Sequence, residues 1–167
     1  MNQLSESDTD AIKAQLGRPP RAVKSIAFRC PCGNPAVTET LPRLEDGTPF
    51  PTTFYLTCPK ASGAVGTLEA SGLMKEMTQR LAADPELAQR YRSAHESYLA
   101  HRAELGEVPE IEGVSAGGMP ERVKCLHVHL AHSLAAGRGV NPFGDEAREA
   151  IGEWWANGPC VETEVEK

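Results

Sequence analysis

The sequence predicts an α+β fold, a small antiparallel meander of about three strands packed with four to six helices. Two observations carry this. Residues 22–58 hold β-branched and aromatic residues in short runs separated by turn residues, and from Pro59 onward the pattern changes to helical spacing with repeated cap signals. A chain of 167 residues, 40% hydrophobic and 24% charged, supplies one ordinary core and not two. A single domain is therefore expected over 1–167, with its core at 18–160 and frayed ends at 1–7 and 162–167.

Residues 8–16 read as a short helix with an acidic start and Gly17 as its stop. Arg18-Pro19-Pro20-Arg21 then imposes an extended linker. Val23, Ile26 and Phe28 favour a first strand, Ala36 to Leu41 a second and Thr52 to Thr57 a third, with a hairpin at Asp46-Gly47 between the last two. Pro59 suits a first helical position, and 60–82 reads as two short helices broken near Ser71-Gly72. Asp84-Pro85 caps a longer helix to about residue 104, along which Leu87, Tyr91, Ala94, Tyr98 and Leu105 follow helical spacing. After a glycine-rich loop at 106–119, Pro120 is expected to open a helix to Ala136, closed by Gly137, with Val123, Leu126, Leu130 and Leu134 as its apolar stripe. Asn141-Pro142 leads into a last helix holding Ala147, Ile151, Trp154 and Trp155, one indole buried and the other at a rim.

Composition narrows the function classes. The formal net charge of −6 argues against duplex nucleic acid as a partner, although Arg18, Arg21, Lys24 and Arg29 cluster near the start. No run approaches the ~20 apolar residues of a membrane span. Met1 to Asp8 is acidic and unlike a signal peptide, so a cytoplasmic protein is expected. Five cysteines then read as free thiols or metal ligands rather than a disulfide framework. No P-loop, dinucleotide fingerprint or Gly-x-Ser-x-Gly occurs.

The residues able to carry chemistry are Cys30, Cys32, Cys58, Cys125 and Cys160, with histidines around Cys125. Cys30-Pro31-Cys32-Gly33 resembles a zinc knuckle shortened by one residue; equally, such thiols serve as small buried side chains. Cys58 stands where a strand ends and a helix begins, a place that lowers a thiol's pKa and suits a ligand, a nucleophile or an inert cap. On a regular helix from Pro120, Cys125, His129 and His132 share one face opposite the leucine stripe, while His127 lies near that stripe and shares no ligand sphere with Cys125. Two ligand sets compete on that basis. One is Cys125 with His129 and His132; the other joins Cys125 to distant cysteines. His95 and His101 read as ordinary helix residues.

Three segments resemble a known family. Arg29 to Pro35, Asp46 to Pro59, and Val123-Lys124-Cys125-Leu126-His127 followed by Asn141-Pro142-Phe143-Gly144 look like domain-of-unknown-function family 501, a bacterial family, over roughly residues 18–160. The resemblance implies no activity. Its pattern includes Cys30, Cys58, Cys125 and His127, with Cys32 in some members. It favours Cys30, Cys58 and Cys125 as a converging set, Cys160 as the nearest fourth thiol, and Cys32 and His127 as additional ligands. Gene neighbours of the family, a septum-formation protein among them, suggest a link to cell division.

Three functions follow as expectations. The leading one is a protein holding zinc or an iron–sulfur cluster through cysteines that the fold brings together. The second is a metal-independent enzyme in which Cys58 is the nucleophile, His127 the base, and Arg29, Arg122 or Lys124 hold an anionic substrate. The third is a module whose helices dock on a protein partner.

Overall fold

The computed structural model describes residues 2–160; the expected frayed end at 162–167 lies outside the described residues. The strands are β1 (Asn2–Gln3), β2 (Val23–Arg29), β3 (Pro35–Thr40) and β4 (Phe54–Leu56). They form one antiparallel sheet in the order β1-β2-β3-β4. The meander read from the sequence is β2-β3-β4, and the two-residue β1 adds an edge from the segment read as frayed. The helices are α1 (Glu6–Leu16), α2 (Pro59–Ala70), α3 (Leu73–Ala83), α4 (Pro85–Leu105), α5 (Leu126–Ala136) and α6 (Pro142–Ile151), with a 3-10 turn at Pro109–Ile111.

Local chemistry explains most boundaries. Ser5 Oγ accepts from Asp8 N (3.1 Å) while Asp8 Oδ2 accepts from Ser5 N (3.3 Å). This capping box starts α1 two residues before the acidic residue at 8. Gly17, at φ +73°, closes it. Between β3 and β4 the hairpin turns at Gly47, where Gly47 N donates to Leu44 O and Leu44 N to Thr48 O. Asp84 Oδ1 accepts from the Glu86 and Leu87 amides at the head of α4.

All of β3 is buried, so both faces of the sheet are covered. Residues alternate between the faces along each strand. Thr38 and its cross-strand partner Tyr55 lie on the side of Ile12 and Leu16 of α1. Val37 and its partner Leu56, with Phe54, join the main core beneath α4 and α5. There Phe54 meets Tyr98 edge-on, ring centroids 5.6 Å apart, and stacks on His132 at 5.9 Å.

Helix α5 departs from expectation. It begins at Leu126, not Pro120, because tertiary partners hold the preceding segment extended. Val123 N donates to Thr78 Oγ1 (3.0 Å), Lys124 N to Gly117 O (2.8 Å), and Tyr91 Oη to Arg122 O (2.8 Å). Cys125 therefore caps the helix in extended conformation (φ −151°, ψ 110°) rather than riding on its face. The helix packs against β4, α2 and α6 and buries His129 and His132, while His127 on its first turn stays partly exposed. The last helix stops at Ile151, leaving Trp154 and Trp155 in the following turns, edge-to-face at 4.6 Å, with Trp154 buried.

Candidate functional site

The thiols separate into two groups. Cys30 directly follows β2, and the turn Cys30-Pro31-Cys32-Gly33 is closed by Gly33 N on Cys30 O (2.8 Å) and Cys30 N on Asn34 O (2.9 Å). Gly33 takes φ +96°, which an L side chain resists, so this residue permits the turn. Cys160 arrives from the chain's far end, where Lys60 Nζ donates to Gly158 O (3.0 Å). The sulfurs of Cys30, Cys32 and Cys160 all lie within 4.8 Å of one another, and Cys32 and Cys160 are 3.0 Å apart. Cys58, fully buried at the cap of α2, lies against Cys160.

Nitrogen donors surround these sulfurs. Cys32 N points at Cys30 Sγ (3.5 Å), Asn34 Nδ2 at Cys32 Sγ (3.5 Å) and Gln15 Nε2 at Cys160 Sγ (4.0 Å). Burial opposes ionisation of Cys32, but hydrogen bonds from Cys160, Asn34 and Cys30 outweigh it and hold the thiol down at about 6. Burial and the neighbouring sulfurs push Cys30 and Cys160 up.

Cys125 belongs to a different group, with Glu69 and His127. The reading that Cys125 and His127 share no sphere is corrected, because the extended Cys125 cap turns its sulfur toward the first helical turn. Glu69 Oε1 accepts from Leu126 N (3.1 Å), His127 N (3.3 Å) and His127 Nδ1 (2.5 Å), and lies 4.0 Å from Cys125 Sγ. His127 Nε2 meets Ser62 Oγ at 3.1 Å. Hydrogen bonding to Cys125 and the Glu69 carboxylate push His127 up to about 9 against its burial. Burial raises the Cys125 thiol, but the hydrogen bond to His127 and the Val128 amide lower it further, below its ordinary value. Cys125, His127 and Ser62 line a cleft of about 670 Å³.

The Cys125-His129-His132 set does not form. His129 is buried against Tyr91 Oη and Gly117 O, each 3.0 Å from its Nε2, and His132 packs between Phe54 and Tyr98. Desolvation holds each at about 4, hence neutral. The proposed anion-binding residues scatter. Arg29 forks onto Asp8 (2.8 and 3.1 Å), while Arg122 and Lys124 are exposed and line neither group. His95 meets Ser115 Oγ at 2.7 Å, and His101 Nε2 lies 3.4 Å from Glu39. Sequence reasoning missed Glu69, Ser62 and Asn141. Of these, only Asn141 carried a signal, as a cap residue before Pro142.

Fold and sites define a small α+β protein with cysteine and histidine groups that could hold a metal ion. Residues 26–149 match the family model described as "Protein of unknown function (DUF501)", which covers most of the chain, and the chain belongs to that family. The match holds Cys30, Cys32, Cys58, Cys125 and His127, and ends before Cys160. Comparison with curated proteins and with solved structures finds no match. Among the described residues no helix is long and apolar enough to cross a membrane.

Proposed function

We propose that this chain is a zinc-binding protein whose ion is held by Cys30, Cys32 and Cys160, with Cys58 as fourth ligand. One observation carries this reading: three sulfurs, one of them more than a hundred residues from the others, lie within 4.8 Å of one another beside a fourth. Four sulfurs at about 2.3 Å from one zinc stand about 3.8 Å apart. A cluster of two or four irons spreads its cysteines over different metal atoms and needs a wider set. The N–H groups aimed at Cys30, Cys32 and Cys160 are the outer hydrogen bonds that thiolate centres use. Cys125, which the resemblance set beside Cys30 and Cys58 with Cys160 as the fourth thiol, lies in the other group, and Cys32 takes its place in this proposal.

With all positions filled by protein, the centre is structural. It ties the β2–β3 turn, the head of α2 and the segment at Cys160 together. Elemental analysis of protein purified without chelator tests this, with X-ray absorption at the metal edge. One zinc per chain with a sulfur shell near 2.3 Å is expected, lost in Cys30→Ser and Cys160→Ser and retained in Cys125→Ser. Metal-free protein that takes up no zinc, or a shell dominated by nitrogen and oxygen, sinks the assignment.

A further inference from the structure

The second group lies on separate residues and has a use of its own. Ser62 and Glu69 are seven positions apart on α2, two turns, and so project from one face. Glu69 reaches the head of α5 and takes its first amides, where the helix dipole also favours a carboxylate. Its position is therefore set by backbone. His127 is held from both sides, Nδ1 on Glu69 and Nε2 on Ser62. Cys125 stands beside the carboxylate and the imidazole, half-buried on the cleft wall, its sulfur 4.0 Å from Glu69 Oε1 and within 4.8 Å of the imidazole. The arrangement has the parts of a thiol-nucleophile site, with a base beside the thiol and a carboxylate fixing the base.

An ion is the competing occupant, and the hydrogen bonds argue against it. Glu69 Oε1 already receives three donors, two of them the backbone amides at the head of α5, which leaves this oxygen little free to ligate an ion. The cleft carries no lysine, arginine or aspartate among its lining residues; Phe54, Leu56, Thr57 and Gly63 are part of its wall. A neutral, largely apolar group fits it better than the anion expected from the sequence.

We infer that Cys125 is the nucleophile of an acyl-transfer site acting on an uncharged ester or thioester, with His127 as its proton partner and Glu69 positioning His127. The Cys125 sulfur, its proton passed to His127, bonds to the carbonyl carbon as the bond to the leaving oxygen or sulfur breaks. His127 returns the proton to that leaving group. Water then attacks the acyl-cysteine, gives a proton to His127 and releases the acid, which restores the pair. Reactants and products balance as ester plus water to acid plus alcohol. The depressed thiol and raised imidazole are consistent with an ion pair at rest.

The test uses the full chain with iodoacetamide and with p-nitrophenyl butyrate as probes, and mass mapping as readout. In the wild type, iodoacetamide near neutral pH is expected to label Cys125 about tenfold faster than the buried thiols Cys30, Cys58 and Cys160. The ester should release a burst of nitrophenolate and leave a butyryl group on Cys125. Cys125→Ser should lose both, and His127→Ala should slow labelling about tenfold. Glu69→Gln, which can still cap α5, should lower the pH at which the His127 imidazole titrates by NMR; the titratable groups facing that ring are Glu69 and Cys125. Slow labelling of Cys125 in folded wild-type protein overturns the inference. So does an acyl group found on Ser62, or zinc that binds at Cys125 and blocks the label.

Discussion

The side-chain amide of Asn141 lies 3.0 Å from Nδ1 of His129 and, with its second hydrogen, 3.2 Å from Nδ1 of His132. Both imidazoles must accept there, so both carry their proton on Nε2, as His129 also requires to donate to Gly117 O. Asn141 Oδ1 takes Gly144 N (3.0 Å) and caps α6. One fully buried residue thus couples α5, α6 and the ring stack on the sheet.

Asn141→Ala removes the cap and strands two buried acceptors. A loss on the order of 3 kcal/mol is expected, read as a drop in the urea midpoint at constant m. A loss under about 0.5 kcal/mol would mean that other partners satisfy the imidazoles.

The same pair makes the fold acid-sensitive. In the unfolded chain an imidazole takes up its proton below about pH 6.5, but His129 and His132 in the fold resist it until about 4. The unfolded state binds more protons in that window, so stability is complete above pH 6.5 and falls as pH falls toward 4. Each residue contributes on the order of 3 kcal/mol to the drop. Urea midpoints at pH 7.5, 6 and 5 should decline steadily, and His132→Phe, which keeps the stack on Phe54, should lessen the slope. A midpoint independent of pH across this range would contradict the neutral pair.

These relations mark where sequence reading stops. Ser71-Gly72 and Asp84-Pro85 announce helix ends by local chemistry, and both ends fall where read. The head of α5 is decided by Thr78, Tyr91 and Glu69, which lie 35 to 57 residues away, and Pro120 gives no hint of them. The thiols were legible as a set but not as a partition. Helical spacing carried Cys125 onto a face it does not occupy, and nothing local tells that Cys32 faces Cys160.

Glycine positions offer a paired test of packing. A Cβ on Gly144 would meet the His129 carbonyl and the Ser133 side chain, so α5 and α6 approach this closely only because residue 144 has none. Gly144→Ala should cost about 3 kcal/mol as the helices separate. Gly66, inside α2, faces open space, and Gly66→Ala should stabilise by about 0.5–1 kcal/mol through helix propensity alone. Thermal melts of the two variants should shift in opposite directions; a neutral Gly144→Ala would mean that the two helices can part at little cost.

Metal removal tests what the thiol centre does for the fold. Residues 153–160 form no regular helix or strand; Lys60 on Gly158 O, Gln15 near Cys160 Sγ and Cys32 Sγ 3.0 Å from Cys160 Sγ tie them to other elements. If an ion joins Cys160 to Cys30, Cys32 and Cys58, its binding energy is largely the energy that holds this end down. A strong chelator should then lower the melting temperature by about 10 °C, and zinc but not magnesium should restore it. Limited proteolysis should cut first between residues 152 and 160 in the stripped protein and spare them in the loaded one, because only the loaded segment is anchored at both ends. The helices α4 and α5 share no ligand with the centre and should resist digestion in both. Identical cutting patterns with and without zinc would show that the segment is held by packing of Trp154 and Cys160 alone, and that the thiols are core residues rather than ligands.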